Sequence, residues 1–400
     1  MKIGIIKERK NPPDRRVVLS PKKCKEILRE FPQLTIKVES SDVRVYADEA
    51  YRNKGIEVVN DVSDCDVLLG VKEVPIEYLI PNKEYFFFSH TIKKQPYNRK
   101  LLQAVLEKNI KLYDHEVITN KQGVRLVAFG RYAGIVGAYN GLRTYGLKTK
   151  LFQMPKAEFL HNQQSLIDEM LKVKLPNIKI VLTGCGRVGN GAREMLVGME
   201  MREVTVNEFL NESFNEPVFV QIDALDYNIR KDGFVKGFQD FFTHPGAYES
   251  NFKRFAENAD IYIACHFFGD NSPYIFTRED AKDPNFKISV VADISCDIDG
   301  PVASTLRAST IENPIYGYNP QLEKEVDYLN EDAIAVMAVD NLPCELPKDA
   351  SDGFGKSFAE YVIPAFFNND EDGVLKRARM TGKGKLKKRF KYLQDFVDGE

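Results

Sequence analysis

The chain has 400 residues, of which 43% are hydrophobic and 28% are charged, and its formal net charge at pH 7 is −2. Because a single core seldom grows beyond about 250–300 residues, this length predicts two domains. The balanced charge argues against a nucleic-acid partner for the whole chain, since such domains usually carry a strong basic excess. One segment, 376–391, holds nine Lys or Arg and no acid, and we interpret it as a solvated basic helix, with a binding surface as the alternative.

The sequence carries no signal for secretion, membrane insertion or a structural metal. Its first residues, MKIGIIKERK, interrupt the apolar run with charges, and no apolar run approaches the ~20 residues of a membrane span. Six cysteines lie scattered at positions 24, 65, 185, 265, 296 and 344 without a C-x-x-C pair. This spacing is typical of reduced thiols in a cytoplasmic enzyme and predicts neither a disulfide framework nor a metal site.

The first part of the chain alternates between β and α patterns. Apolar runs predict strands at 2–6, 35–38, 58–59, 67–71, 85–89 and 110–113, with helices at 21–30 and about 98–108. Such alternation predicts an α/β fold with a parallel sheet.

Ionisable residues follow two neighbouring strands of this predicted sheet. Lys72 and Glu73 come directly after LLGV, and His90 comes after FFFS. Open α/β sheets bind ligands outside the carboxyl ends of their strands. We therefore expect a joint site here, although a solvated lysine and a structural histidine are the common alternatives for each residue alone.

A small, apolar segment separates two predicted domains. It reads VAFGRYAGIVGAYNGLRTYG, and its glycines at 130, 134, 137 and 141 recur at the spacing of one closely packed helix face. Strands predicted at 178–182, 218–222, 261–264 and 290–294 form a second parallel sheet, and a late helix is predicted at 348–367. We assign 1–131 plus 338–400 to a discontinuous substrate domain and 132–337 to a Rossmann-like nucleotide-binding domain, with a cleft between them.

Residues 178–193, IKIVLTGCGRVGNGAR, combine an apolar run, a glycine cluster and a helix start. The cluster forms G-x-G-x-x-G from Gly184, Gly186 and Gly189, with Arg187 and Val188 between them. In dinucleotide-binding βαβ units these glycines permit a tight turn, admit the pyrophosphate and let the helix pack on the strand. Glu208 follows about 19 residues later, where an acid accepts hydrogen bonds from the adenine ribose and repels a 2′-phosphate. The pattern predicts NAD rather than NADP.

The first domain offers charged side chains suited to acid–base catalysis on an amino acid. They lie on loops or strand ends: Arg16, Lys72, Glu73, His90, Glu116 and Arg125. Arginines bind carboxylates in bidentate fashion. Hydride transfer from a C–N carbon needs a base for the amine and a second group that lets water attack the imine, and a lysine beside a histidine supplies both. The two glutamates would tune the pKa values of this pair. A salt-bridge network at the sheet edge is the alternative interpretation.

Eight ordered motifs resemble one enzyme family. The chain contains, in this order, DRRVVLSP, GVKE, FFFSHT, YDHEVI, GVRLVAFGRYAG, GRVGNGA, DISCD and VDNLPCELPKDAS. They are similar to the lysine-forming saccharopine dehydrogenases and the related lysine-ketoglutarate reductase domain, within the alanine dehydrogenase and transhydrogenase superfamily. The resemblance implies two Rossmann-like domains, NAD on the second, and oxidative cleavage of saccharopine to L-lysine and 2-oxoglutarate through an imine, a reaction of lysine biosynthesis.

The resemblance also implies roles for single residues. Lys72 would be the base for the secondary amine, and His90 would be the acid–base group for imine hydrolysis. Charge-balancing carboxylates would come from Glu73 and Glu116, and substrate carboxylates would be bound by Arg16 and Arg125. The family lines its cofactor cleft at the positions of Asp293, Asp297, Asp340 and Leu342.

Three other functions stay open at this point. The segments FFTHPGAYESNF and HFFGDNSPYIFTRED are more similar to the reductase branch, which would form saccharopine from lysine. An alanine dehydrogenase is the second alternative, although the FSHT segment and the two separate arginines argue against it. A non-catalytic NAD(H)-binding module is the third, and the presence of both the cleft residues and the glycines argues against it.

Overall fold

The computed structural model describes residues 1–399, and these form two compact units. The first unit contains Met1–Phe129 and the segment from Pro347 onward, and the second contains Gly130–Leu346. Residues 130–131 and 338–346 therefore belong to the second unit and not, as predicted, to the first. The reason is packing, because Leu342 lies against Gly137 and Glu345 accepts a hydrogen bond from Asn140. The predicted first domain ends at residue 400, which lies outside the described residues.

The first unit is built on a six-stranded sheet. Its strands are β1 (Lys2–Ile5), β2 (Thr35–Glu39), β3 (Glu57–Val59), β4 (Val67–Leu69), β5 (Glu84–Phe87) and β6 (Lys111–Asp114), and its first helices are α1 (Pro21–Glu30), α2 (Asp48–Arg52) and α3 (Arg99–Glu107). Every pairing is parallel, in the order β3-β2-β1-β4-β5-β6, which confirms the predicted parallel sheet. The order reverses between β1 and β4, the switch point at which doubly wound sheets bind ligands.

Short apolar runs form these central strands because both faces of the sheet are covered. The apolar residues of β1 and β4 are at most 2% exposed. Helix α1 begins where the Ser20 side chain accepts a hydrogen bond from the Lys23 N–H, with Pro21 in the first turn. Local capping and strand burial thus explain the βα opening of the unit.

The second unit contains a larger sheet. Its helices are α4 (Gly130–Thr149), α5 (Gln163–Leu171), α6 (Arg187–Gly198), α7 (Val206–Asn211), α8 (Phe238–Thr243), α9 (Lys253–Ala256) and α10 (Arg278–Lys282). Its strands are β7 (Lys179–Thr183), β8 (Arg202–Glu203), β9 (Val218–Ile222), β10 (Asn228–Arg230), β11 (Tyr248–Ser250), β12 (Ile261–Ala264), β13 (Val290–Asp293), β14 (Ile315–Asn319), β15 (Lys324–Val326) and β16 (Ile334–Met337). Eight strands pair in the order β15-β14-β16-β13-β12-β7-β9-β8, and β10 pairs separately with β11.

One feature of this sheet differs from the prediction. Strands β14 and β15 add an antiparallel edge, in a segment to which the sequence analysis assigned no strand. Strand β9 lies next to β7, and β8 pairs with β9 at the edge of the sheet. The glycine-rich helix α4 packs closely on α6, because a Cβ on Gly134 would lie 1.9 Å from the Val188 carbonyl oxygen. The predicted close helix packing is therefore observed.

The returning segment completes the first unit. It forms α11 (Pro347–Tyr361), α12 (Val374–Ala378), β17 (Thr381–Gly382), β18 (Lys385–Leu386) and α13 (Gln394–Asp398). The Ser351 hydroxyl accepts the Val17 N–H at 2.9 Å, which ties α11 to the loop between β1 and α1. The prediction of one solvated basic helix at 376–391 is wrong, because Leu386 and Phe390 are buried and the segment folds as a short helix and a hairpin. Within residues 1–399, no helix is long and apolar enough to cross a membrane.

Candidate active site

Lys72 and His90 follow the ends of two adjacent parallel strands. Strand β4 pairs with β5, with Leu69 opposite Phe86, so both side chains start from the same edge of the sheet. The backbone of His90 has a φ of +52°, a left-handed conformation that is uncommon for residues other than glycine. Strained residues of this kind concentrate at functional sites.

The imidazole of His90 lies among charged side chains. Its Nε2 atom is 3.9 Å from Oε1 of Glu73. Burial lowers the pKa of His90, the charges of Lys72 and Lys10 lower it further, and Glu73 and Glu116 act in the opposite direction. The structure therefore brings four predicted residues, Lys72, Glu73, His90 and Glu116, within electrostatic reach of one another.

Glu73 connects this cluster to a residue that the sequence analysis missed. Its Oε2 atom accepts a hydrogen bond from Lys10 Nζ at 2.7 Å. Its Oε1 atom is buried and has no hydrogen-bond partner among the described residues. Lys10 follows β1, which pairs with β4 across more than sixty positions of the sequence. No local signal marked Lys10, because the contact depends on the order of the strands.

Glu116 is held by Arg125. The Arg125 Nε atom donates to the Glu116 carbonyl at 3.1 Å, and Nη2 donates to Glu116 Oε1 at 3.4 Å. The Oε2 atom of Glu116 is buried and unpartnered in the described part of the chain. The side chain of Arg125 is 39% exposed.

Arg16 is engaged inside the protein. Its Nε and Nη2 atoms donate to the two carboxylate oxygens of Asp14 at 3.0 and 2.6 Å, and its guanidinium lies 4.2 Å from the ring centre of Phe129. Burial raises the pKa of Asp14, but the charge and hydrogen bonds of Arg16 outweigh it and lower that pKa to about 2. A substrate carboxylate would have to share Arg16 with Asp14, so the substrate-binding role of Arg16 stays a prediction.

Glu8 positions the backbone of Lys72. Its carboxylate oxygens accept the Val71 N–H at 2.6 Å and the Lys72 N–H at 2.9 Å. Burial, and next the neighbouring charge of Asp14, raise the pKa of Glu8 to about 8. Like Lys10, Glu8 comes from the loop after β1 and was not among the predicted site residues.

The glycine turn of the second unit has the geometry that a dinucleotide needs. Gly184 has a φ of +93°, and a Cβ there would lie 2.5 Å from the Cys265 carbonyl oxygen. A Cβ on Gly189 would lie 1.8 Å from the Gly184 carbonyl oxygen, whereas a Cβ on Gly186 would meet nothing within 4 Å. Helix α6 then begins at Arg187 without a side-chain cap, and Val188 follows in its first turn. The open space and uncapped N–H groups fit a pyrophosphate.

Glu208 lies away from this turn in the sheet order. It follows the outermost strand β8 and forms a capping box with Thr205 at the start of α7. The strand next to β7 is β9, and Asp223 follows it. Burial raises the pKa of Cys185 in the glycine turn, and the charge of Asp223 raises it further, so Asp223 lies near that turn. The ribose role of Glu208 stays a prediction.

The other predicted cofactor residues lie at the end of β13 or in the segments that follow β13 and β16. Burial raises the pKa of the Cys296 thiol to about 12, and the charges of Asp293, Asp340 and Asp297 act in the same direction, so these three acids are neighbours. Asp293 is buried and accepts hydrogen bonds from Ser295, Cys296 and Thr305, so its carboxylate organises the loop. Leu342 is 1% exposed, whereas Asp297 and Asp340 are exposed.

Comparison with known proteins identifies the family. The model of the alanine dehydrogenase/PNT N-terminal domain matches residues 4–136, and that of the C-terminal domain matches residues 157–387. The chain is 27% identical over 442 residues to the alpha-aminoadipic semialdehyde synthase of Arabidopsis thaliana, covering 98% of this chain and 41% of that protein. It is 25% identical over 374 residues to the saccharopine dehydrogenase (NAD(+), L-lysine-forming) of Yarrowia lipolytica, covering 88% of both chains.

The chain thus spans less than half the length of the Arabidopsis protein. A solved structure of an L-alanine dehydrogenase matches it with a TM-score of 0.66 and 17% identity, covering 99% of this chain and all of the other. That similarity shows the fold alone. Since the two domain models together match most of the sequence, the chain belongs to the alanine dehydrogenase/PNT family.

Proposed function

We propose that the chain is an NAD-dependent oxidoreductase acting on a CH–NH group, which cleaves saccharopine to L-lysine and 2-oxoglutarate through an imine. The observation that carries this proposal is the meeting of Lys72, His90, Glu73 and Glu116 beyond three adjacent strands. The similarity to several saccharopine dehydrogenases supports the choice of substrate. NAD, when bound, would accept the hydride from the carbon next to the secondary amine.

Lys72 would accept the proton of the secondary amine. Its backbone is held by Glu8, so its side chain starts from a fixed point beyond β4. His90 would then accept a proton from the water that attacks the imine carbon. Because burial lowers the pKa of His90, its imidazole is neutral near pH 7 and able to act as a base. Glu73 and Glu116 would stabilise the imidazolium that forms.

The same cluster offers groups that complement the substrate. The buried Oε1 of Glu73 and Oε2 of Glu116 lack hydrogen-bond donors among residues 1–399, and a protonated amine would supply them. Arg125, whose side chain is 39% exposed, and Arg16 would bind substrate carboxylates. These assignments make the substrate a dicarboxylic or tricarboxylic amino acid.

NAD would be held in the second unit. The glycine turn, Gly184, Gly186 and Gly189 with Arg187 and Val188, would cradle the pyrophosphate, since the space above Gly186 is open. Asp223 or Glu208 would accept hydrogen bonds from the ribose and disfavour a 2′-phosphate. Further contacts are proposed for the neighbouring loops: Asp293, Asp297, Asp340 and Leu342.

Turnover of saccharopine with NAD tests the proposal. The wild type should reduce NAD, and Lys72→Met should lose at least a hundredfold in kcat, the size of effect typical of a lost acid–base group. Lys54→Met is the matched control, because Lys54 is exposed in the same unit and precedes β3, at the edge of the parallel sheet opposite the carboxyl ends of the strands. Robust activity of Lys72→Met would remove Lys72 from the mechanism.

The reverse reaction is the second candidate, supported by the similarity to alpha-aminoadipic semialdehyde synthases over 98% of the chain. In that direction Lys72 and His90 would begin in the protonation states in which they end the cleavage reaction. Oxidation of NADH with lysine plus 2-oxoglutarate, compared with pyruvate plus ammonia, separates this reaction from an alanine dehydrogenase. Tight NADH binding without turnover of any of these substrates would identify a non-catalytic binding module.

A further inference from the structure

Asp114 is a buried carboxylate at the end of β6. It is 0% exposed. Its Oδ2 atom accepts the Ser89 N–H at 3.0 Å and also the Ser89 hydroxyl, and its Oδ1 atom accepts the Glu116 N–H at 2.7 Å. One carboxylate therefore ties the loop after β5 to the turn after β6.

Ser89 directly precedes His90, and its hydroxyl bonds Thr91 as well as Asp114. The Thr91 Oγ1 atom lies 2.7 Å from Ser89 Oγ, and the Thr91 N–H donates to Ser89 Oγ at 3.3 Å. The residues on both sides of His90 are thus held by a chain of bonds that ends on Asp114. A left-handed backbone such as that of His90 persists only where its surroundings hold it.

We propose that Asp114 is a positioning residue that fixes His90 and Glu116 relative to each other for proton transfer. This proposal rests on the proposed function, because it assumes that His90 carries protons. Asp114 lies opposite Phe87 in the parallel pairing of β5 and β6, so it stands where both strands end and their following loops begin. A carboxylate suits this place because it accepts three donors at once, whereas an amide offers one oxygen and brings two donors of its own.

Four charged residues act on the imidazole of His90, and their balance depends on this geometry. Lys72 and Lys10 lower its pKa after burial does so, and Glu73 and Glu116 raise it. If Glu116 moves away, one of the two raising influences weakens and His90 titrates at a lower pH. Burial also raises the pKa of Asp114 itself to about 6. The His90 titration is therefore followed in every variant from neutral pH down to full protonation of the imidazole, and kcat and NADH affinity are compared above pH 6, where the Asp114 carboxylate is charged.

The test compares Asp114→Asn and Ser89→Ala with Asp48→Asn. Asp48 is the matched control, because it accepts a serine hydroxyl from Ser40 at 2.6 Å and the Ser41 N–H at 3.2 Å in the same unit. The titration of His90 is followed by NMR, with its signal assigned from its loss in His90→Gln. The pH dependence of kcat and the affinity for NADH are measured alongside.

We expect Asp114→Asn to move the His90 titration to lower pH and to reduce kcat at least tenfold, with NADH affinity unchanged. Ser89→Ala, which removes one donor and leaves the carboxylate, should produce the same shift to a smaller extent. Asp48→Asn should lower the melting temperature and leave the His90 titration in place. If Asp114→Asn does not fold, the His90 titration in Ser89→Ala tests the positioning role of Asp114.

An unchanged His90 titration in the folded variants overturns the positioning role, whatever their melting temperatures. The NMR readout needs no turnover. A shifted titration in a protein that turns over none of the substrates would therefore support the positioning role and reject the proposed function. If the folded variants keep the wild-type His90 titration and the protein turns over saccharopine, the proposed function is supported and the positioning role of Asp114 is rejected.

Discussion

The Nε2 atom of His90 and the Oε1 atom of Glu73 lie 3.9 Å apart. This separation exceeds a hydrogen bond, but it lets the carboxylate favour the protonated imidazole. Burial of the ring opposes the carboxylate, and the net effect is a lowered pKa. Small changes in either influence should therefore appear directly in the titration of His90.

Glu73→Gln should lower the pKa of His90 further, because it removes a negative charge and keeps the shape of the side chain. The acid limb of the kcat profile should move to lower pH, and kcat should fall about tenfold. NMR titration of His90 and saccharopine turnover measure the two effects. Glu84→Gln is the control, since Glu84 lies at the opposite end of β5 and pairs with Lys111. Equal titrations in Glu73→Gln and the wild type would contradict the prediction.

Arg16→Lys should destabilise the first unit by about 1–3 kcal/mol, because a lysine cannot reproduce the two parallel bonds to Asp14 or the stacking on Phe129. Urea unfolding monitored by circular dichroism gives the free energy. Arg15→Lys, at the exposed neighbouring position, should stay within about 0.5 kcal/mol of the wild type. A similar small effect for Arg16→Lys would mean that the buried ion pair contributes little.

Alanine substitutions in the glycine turn should separate folding from cofactor binding. Gly189→Ala should cost about 3 kcal/mol or more, because its Cβ would overlap a backbone oxygen. Gly186→Ala should keep its stability within about 0.5 kcal/mol, since its φ of −83° suits alanine, yet it should weaken NADH binding at least tenfold by filling open space.

Gly237→Ala is the control for Gly186→Ala. Gly237 also precedes a helix, α8, has the same φ of −83° and faces open space. It should change neither stability nor NADH affinity. Calorimetry of NADH binding to the two folded variants provides the comparison, and wild-type affinity in Gly186→Ala would rule out the glycine turn as the pyrophosphate site.

The buried His115 should make the protein less stable in acid. Burial lowers its pKa to about 4, whereas an unfolded histidine titrates near 6.5. Between these values the unfolded chain binds a proton that the native ring refuses, so this contribution is present above about pH 6.5 and is lost as the pH falls towards 4.

A comparison with His115→Phe isolates this effect. Phenylalanine suits the aromatic surroundings of Phe88 and Phe354 but cannot donate to the Gly70 carbonyl. Urea unfolding gives the free energy of unfolding of the wild type and of His115→Phe. The wild-type value minus the His115→Phe value should fall by roughly 1–2 kcal/mol between pH 7 and pH 5. Exposed His161→Phe should show no such narrowing, and a constant difference for His115→Phe would contradict the assignment.

Several elements were readable from local sequence. Apolar runs marked the six parallel strands of the first unit, and the spacing of Gly130, Gly134 and Gly137 marked the close contact of α4. The placement of Lys72 and His90 at strand ends followed from the chain order alone. The antiparallel edge formed by β14 and β15 was missed, because strands this short show no distinctive alternation of apolar and polar residues.

The amino-acid sequence by itself determined the six strands of the first unit, the glycine turn and the ionisable residues beyond β4 and β5, because each depends on neighbours within a few positions. Only the tertiary structure decided which side chains meet them. Lys10 and Glu8 reach Glu73 and Lys72 because β1 pairs with β4, and Asp223 lies beside the glycine turn because β9 pairs with β7. Strand order arises from packing of the whole sheet, and no local pattern encodes it.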